Sequence, residues 1–335
     1  STGGSVVISS GRSLAAGNVG GSIDISSASG IAGSVQTGGI NIVSGASTGS
    51  GSGSISLTTG NSNSGSSGSM IMQIGASENG RGGSVSMQAG SSNTQTGGSI
   101  QLESGKSSTG NSGKVSIATG SSDLGSSGAV TMTTGVSLQG SSGSIEMRVG
   151  ESLENGGDVV LAAGRGAQQG GNVNIEAGDG SSKNGGNIRI KSGGSETGIG
   201  GSISMATQES SENGDSSTGS IQMRTGTAST GSSGSFLIET GASLAGTSGS
   251  ISARVGAAQQ GPGGDISFQA GNTAAGHGGS IFVESGAGTK SGSIAVKSAA
   301  GNIGSGSITV GSGKALSGAS GSISVATGSA SVGSS

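Results

Sequence analysis

The sequence predicts an all-β protein, a parallel β-solenoid of about 22 coils, and three observations lead there. A unit of about fifteen residues recurs from end to end, in its cleanest copies G-S-I-S-Φ-x-T-G-x-S-x-x-G-S-S with Φ aliphatic. Each unit carries two aliphatic residues two positions apart, the spacing of one face of a strand. Glycines bracket each pair and mark where the chain turns. Composition alone points elsewhere. With 77 glycines and 1% aromatic residues in 335, the chain lacks the bulk for a compact globule and would read as a Gly/Ser linker. A random-coil linker has no reason to keep paired aliphatics in register, so the pattern outweighs the composition.

The pairs begin at Val6/Ile8, Ile23/Ile25 and Ile40/Ile42 and continue at Ile55/Leu57, Met70/Met72, Val85/Met87 and Ile100/Leu102. Val115/Ile117, Val130/Met132, Ile145/Met147, Val159/Leu161, Val173/Ile175, Ile188/Ile190 and Ile203/Met205 follow. The series closes with Ile221/Met223, Phe236/Ile238, Ile251/Ala253, Ile266/Phe268, Ile281/Val283, Ile294/Val296, Ile308/Val310 and Ile323/Val325. These residues form the expected core stripe, typified by Ile55, Leu57, Val115, Ile117, Ile145, Met147, Ile188 and Ile190. The fifth strand position is small or β-branched (Thr59, Ala177, Thr240, Val255) and is expected to face inward as well. Gly60, Gly120, Gly150 and Gly241 are expected to end their strands by taking φ > 0. A second glycine or pair, such as Gly82-Gly83 or Gly97-Gly98, turns the chain into the next strand. One strand with three inward residues cannot fold alone. Stacked copies would form a parallel sheet, closed through a Gly/Ser return half in which Leu124, Leu138, Leu153 and Leu244 plug gaps.

Charge chooses between one repeat per coil and two. Three residues after the first aliphatic, the sequence places Glu176 then Lys191, Arg224 then Glu239 then Arg254, and Glu284 then Lys297. Just after the turn glycine it places Glu151, Arg165 and Asp179. Signs alternate wherever successive repeats are both charged. One repeat per coil makes these residues attractive neighbours at about 4.8 Å, whereas two would stack Arg224 on Arg254. One repeat per coil is therefore the expectation, with a rod near 100 Å long, and two the alternative. The charges read as register keys, since exposed pairs contribute only about 0–1 kcal/mol each.

Residues 1–335 read as one continuous array. Gln208 to Gly219 (QESSENGDSSTG) replaces a turn glycine, adds residues and is expected to protrude. The chain opens at Ser1 and stops at Ser335 inside repeat-like sequence, which suggests a processed product or an excerpt of a longer array. Neither end shows an aromatic or charged cap, so open edges are expected to template stacking.

No chemistry-bearing constellation rises above the repeat. Glycine-rich matches to phosphate loops lack a following helical period. His277, the sole histidine, sits in the turn Gly276-His277-Gly278, unlike the oriented histidine of a hydrolytic triad. Asp123, Asp179, Asp215 and Asp265 do not recur in phase as calcium repeats require. Met72, Met87, Met132, Met147, Met205 and Met223 share the second aliphatic position, as core packing explains. Cysteine is absent. No catalytic residue, metal or cofactor is expected. A net charge of −3 argues against nucleic acid, and no segment reaches the roughly 18 apolar residues of a membrane span.

Gly-Gly-Ser-Val-Ser-Met-Gln-Ala-Gly (82–90) and Gly-Gly-Asn-Val-Asn-Ile-Glu-Ala-Gly (170–178) resemble the Gly-Gly-x-Φ-x-Φ-x-Ala/Thr-Gly repeats of phage or viral fibre proteins and of large surface proteins of microalgae such as diatoms. The resemblance covers nearly the whole chain. It implies an elongated structural role outside the cell or on its surface and transfers no active site. The expected function is a filament or fibre shaft, built by end-to-end or lateral self-association. The rival is an adhesin or ice-binding module that displays a repetitive face, with surface polysaccharide as a possible partner. The outward positions mix Ser, Thr, Gln and charges, so they lack the regular threonine array an ice-binding face needs.

Overall fold

The computed structural model describes residues 4–13, 19–30, 36–210 and 217–329. Among them there is no helix and no β-strand, only bends joined by irregular chain. This overturns the parallel β-solenoid, with one repeat per coil or two. Among the described residues no backbone ladder links one repeat to the next. The backbone–backbone hydrogen bonds of the described residues all close loops between glycines six to ten residues apart. The chain divides into two units, Ser1–Ala162 and Ala163–Ser335. The division falls just before Gly164, between one aliphatic pair and the loop that follows it.

No described residue is buried. The accessible surface is 33730 Å², against about 12,000 Å² for a compact globule of this mass. Composition supplies the reason. Two large aliphatics must offset the ordering of about fifteen residues, at about 1–2 kcal/mol of backbone entropy each. Glycine, at 77 of 335 residues, raises that cost further. A thin stripe within a single chain does not offset it. Leu124, Leu138, Leu153 and Leu244, expected to plug the return half, stand fully exposed. Of the protruding segment 208–219, residues 211–216 with Asp215 lie outside the described residues, as do Ser1 and Ser335.

Local order is nonetheless periodic. Most described repeats are an aliphatic segment followed by a loop whose two ends approach each other at a neck, in the manner of a small Ω-loop. In eight loops the neck is closed by a backbone hydrogen bond: the glycine before the next pair donates its N–H to the turn glycine's carbonyl. Examples are Gly98 to Gly90 (2.8 Å), Gly113 to Gly105 (2.9 Å) and Gly186 to Gly178 (2.9 Å). A small residue before the turn glycine is required but not sufficient: Ser44 precedes Gly45, yet Gly53 makes no such bond. In all eight closed necks it is Ala or Ser: Ser10, Ala89, Ser104, Ala163, Ala177, Ser192, Ala270 and Ser285. Where it is Thr, Val or Ile, as at Thr119, Val149 or Ile74, its γ-carbons lie against the incoming glycine and no such bond forms. Thr240 substitutes a longer contact, its Oγ1 donating to the Gly249 carbonyl at 3.3 Å.

The close approach also explains why the incoming residue is glycine. A Cβ on Gly98 would lie 3.2 Å from both Ala89 Cβ and Gly90 N, while one on Gly90 would meet nothing within 4 Å. The small fifth position therefore packs on the neck rather than in a sheet core. Ala177 and Thr240 are half-buried there, as are Ala89, Ser104, Ser192, Ala270 and Ser285.

Candidate functional site

The loops are built around a serine two residues after the turn glycine. In nine loops its Oγ accepts the N–H of the residue three positions on, at 2.8–3.1 Å. Gly65 donates to Ser62, Gly110 to Ser107 and Gly125 to Ser122 in this way. A short hydroxyl side chain satisfies a turn N–H that the backbone leaves free. Positive φ falls elsewhere than expected. Gly60, Gly120, Gly150 and Gly241 do not have it; the glycines that do are Gly231, Gly261, Gly276 and Gly318. Ala228, Ala258 and Ala315 stand three residues before Gly231, Gly261 and Gly318, so the accepting hydroxyl is missing. Before Gly276 stands Thr273, whose hydroxyl instead accepts the Ala275 N–H at 3.2 Å. Without a cap on its N–H, the loop glycine turns left-handed, which glycine does at little cost. Where serine caps, the position also takes Ser50 or Gln95.

The aliphatic stripe lies on the open segments between loops. Ile55, Val115, Ile145 and Ile188, the first of their pairs, are 52–58% exposed. Leu57, Ile117, Met147 and Ile190, the second, are 68–72% exposed. The polar positions between and after them share the other face. Gln101 donates to Glu103 at 3.2 Å, and Arg148 pairs with Glu146, both contacts spanning two residues. Each segment is thus two-sided, apolar on one face and polar or charged on the other.

Glu176, Lys191, Arg224, Glu239, Arg254, Glu284 and Lys297 are all exposed on that polar side. The structure does not bring them together: among the described residues the one ion pair is Arg148–Glu146. No group of three or more His, Asp or Glu side chains among the described residues could hold a metal ion. His277 is exposed in its loop, after the left-handed Gly276. Sequence reasoning missed the neck and the serine cap. Their signals are visible in retrospect, as Ala or Ser against Thr before the turn glycine and as serine two residues after it. Comparison with protein-family models, curated proteins and solved structures found no match.

Proposed function

We propose that this chain is a non-catalytic structural protein, working outside the cell or on its surface, that associates with copies of itself into a filament or fibre. One observation carries the reading: a large aliphatic pair recurs about every fifteen residues and is exposed in every described repeat. Contiguous exposed apolar surface rimmed by polar groups marks a surface meant to be covered. Association end to end or laterally would bury the stripe that the single chain leaves in water and would provide partners for its open backbone groups. Like chains suit this better than nucleic acid or a bilayer. The chain carries a net charge of −3, and no helix among the described residues is long and apolar enough to cross a membrane.

A second reading, a displayed module that binds surface polysaccharide, draws on the loops. Leu124, Leu153 and Leu244 project fully exposed beside regularly placed serine hydroxyls, a mixture that suits sugar faces. Sedimentation velocity from nanomolar to high micromolar concentration, with electron microscopy of the same samples, separates the two. Self-association predicts concentration-dependent large species that appear as filaments. A chain that stays monomeric throughout, yet is retained on polysaccharide, supports the second reading and removes the first.

A further inference from the structure

We propose that copies of this chain pair in parallel with a stagger of one repeat. The copies lie edge to edge, so that each aliphatic pair sits beside the next repeat's pair on one face and each outward charge sits beside its opposite on the other. The inference rests on the self-association reading above and specifies its geometry.

The outward charges of the unit Ala163–Ser335 carry the argument. They are exposed and make no ion pair among the described residues, so their alternation has no use there. Between copies, alternation selects a register. With no stagger, every charge meets its own copy, Glu239 on Glu239 and Arg254 on Arg254, which is repulsive throughout. A stagger of one repeat sets Glu176 against Lys191, Arg224 against Glu239, Glu239 against Arg254 and Glu284 against Lys297, with no like pair. A stagger of two repeats brings Arg224 against Arg254 and Lys191 against Arg224, leaving only Arg254 against Glu284 as attraction.

Direction follows from the same positions. If two copies ran antiparallel with aliphatic pairs facing, each charge would face the residue before the first aliphatic. In this region those residues are Ser220, Ser235, Ser250, Ser280 and Ser293, with Asp265 the single charged one, so any antiparallel register offers a countercharge to no more than one position of the series. The parallel arrangement aligns the apolar pairs together with the whole series of opposite charges, whereas the antiparallel one can use Asp265 alone. A staggered contact is also heterologous: each copy leaves an unmatched repeat at either end of the pair, so addition continues without closing. That is the symmetry of a filament rather than of a dimer.

The chain has no cysteine, which makes the test clean. Two differently tagged full-length variants, Gln222→Cys and Leu237→Cys, are assembled separately and as a mixture, then oxidised. The stagger predicts disulfides between the two variants in the mixture, at least on the order of tenfold above those within either variant alone. In parallel, an acidic variant (Lys191→Glu, Arg224→Glu, Arg254→Glu, Lys297→Glu) and a basic variant (Glu176→Lys, Glu239→Lys, Glu284→Lys) are assembled alone and at equal ratio. Each alone should need a concentration on the order of tenfold higher to assemble, and the mixture should recover the wild-type value. Homotypic disulfides, or charge variants that assemble like the wild type, overturn the stagger while leaving self-association intact. A wild-type chain that never assembles overturns both.

Discussion

At the residue scale, the loop alternates between two solutions to one problem: the N–H at its fifth position. Ser122 accepts it from Gly125 at 3.0 Å, and the backbone stays at negative φ. Ala228 cannot, and Gly231 turns to a φ of 94°. Alanine at Gly125 should therefore be tolerated, while Gly231→Ala places a Cβ in the left-handed region at about 1–2 kcal/mol. Adding Ala228→Ser should relieve that strain by restoring the cap. Three-bond amide–Hα couplings in isotope-labelled protein report φ directly. We expect Ser122→Ala to move Gly125 to positive φ and Ala228→Ser to move Gly231 to negative φ; couplings unchanged by both substitutions would remove the capping account.

At the element scale, closing the neck requires a small side chain before the turn glycine. Ala89 permits the 2.8 Å bond from Gly98 to Gly90, whereas Thr119 holds Gly128 off with its γ-methyl 3.5 Å from where a Cβ would stand. Ala89→Thr should open its neck and Thr119→Ala should close one. A net backbone hydrogen bond of about 0.5–1.5 kcal/mol should change amide exchange at Gly98 and Gly128 roughly two- to tenfold, slower where the neck closes. Gly98→Ala should open the neck by collision, and Gly90→Ala should leave it closed. Much of this element was legible in the sequence. The period, the bracketing glycines and the two-sidedness of the aliphatic segments follow from spacing alone. Two features were hidden. Treating Ala177, Thr59 and Val255 as one small or β-branched class erased the difference between a closed and a wedged neck. Placing φ > 0 at the turn glycine, as at Gly60 and Gly120, overlooked the serine that decides which glycine needs it.

At the scale of the whole molecule, the solenoid expectation failed because spacing specifies a face and not its partner. Ile145 and Met147 share a side whether another repeat of the same chain covers them or another chain does. The choice depends on whether one chain's stripe can offset the ordering of so glycine-rich a backbone, and the exposed stripe answers that it does not. Ile145→Asp should consequently leave the monomer unchanged in hydrodynamic size and circular dichroism, since no core receives the charge. In an assembly the same carboxylate would be desolvated without a partner, at several kcal/mol, and should abolish incorporation. A monomer that unfolds on this substitution would place Ile145 inside a core after all.

Backbone hydrogen exchange, followed residue by residue in dilute and in assembled protein, tests the central claim that the aliphatic segments lack partners within one chain and gain them from another. In the monomer, the amides of Ile55, Leu57, Val115 and Ile117 should exchange at nearly unprotected rates, with only modest slowing at neck amides such as Gly98 and Gly113. In the assembly, the aliphatic segments should slow on the order of a hundredfold or more. Comparable protection already present in the monomer would reveal a ladder inside the single chain and contradict the account.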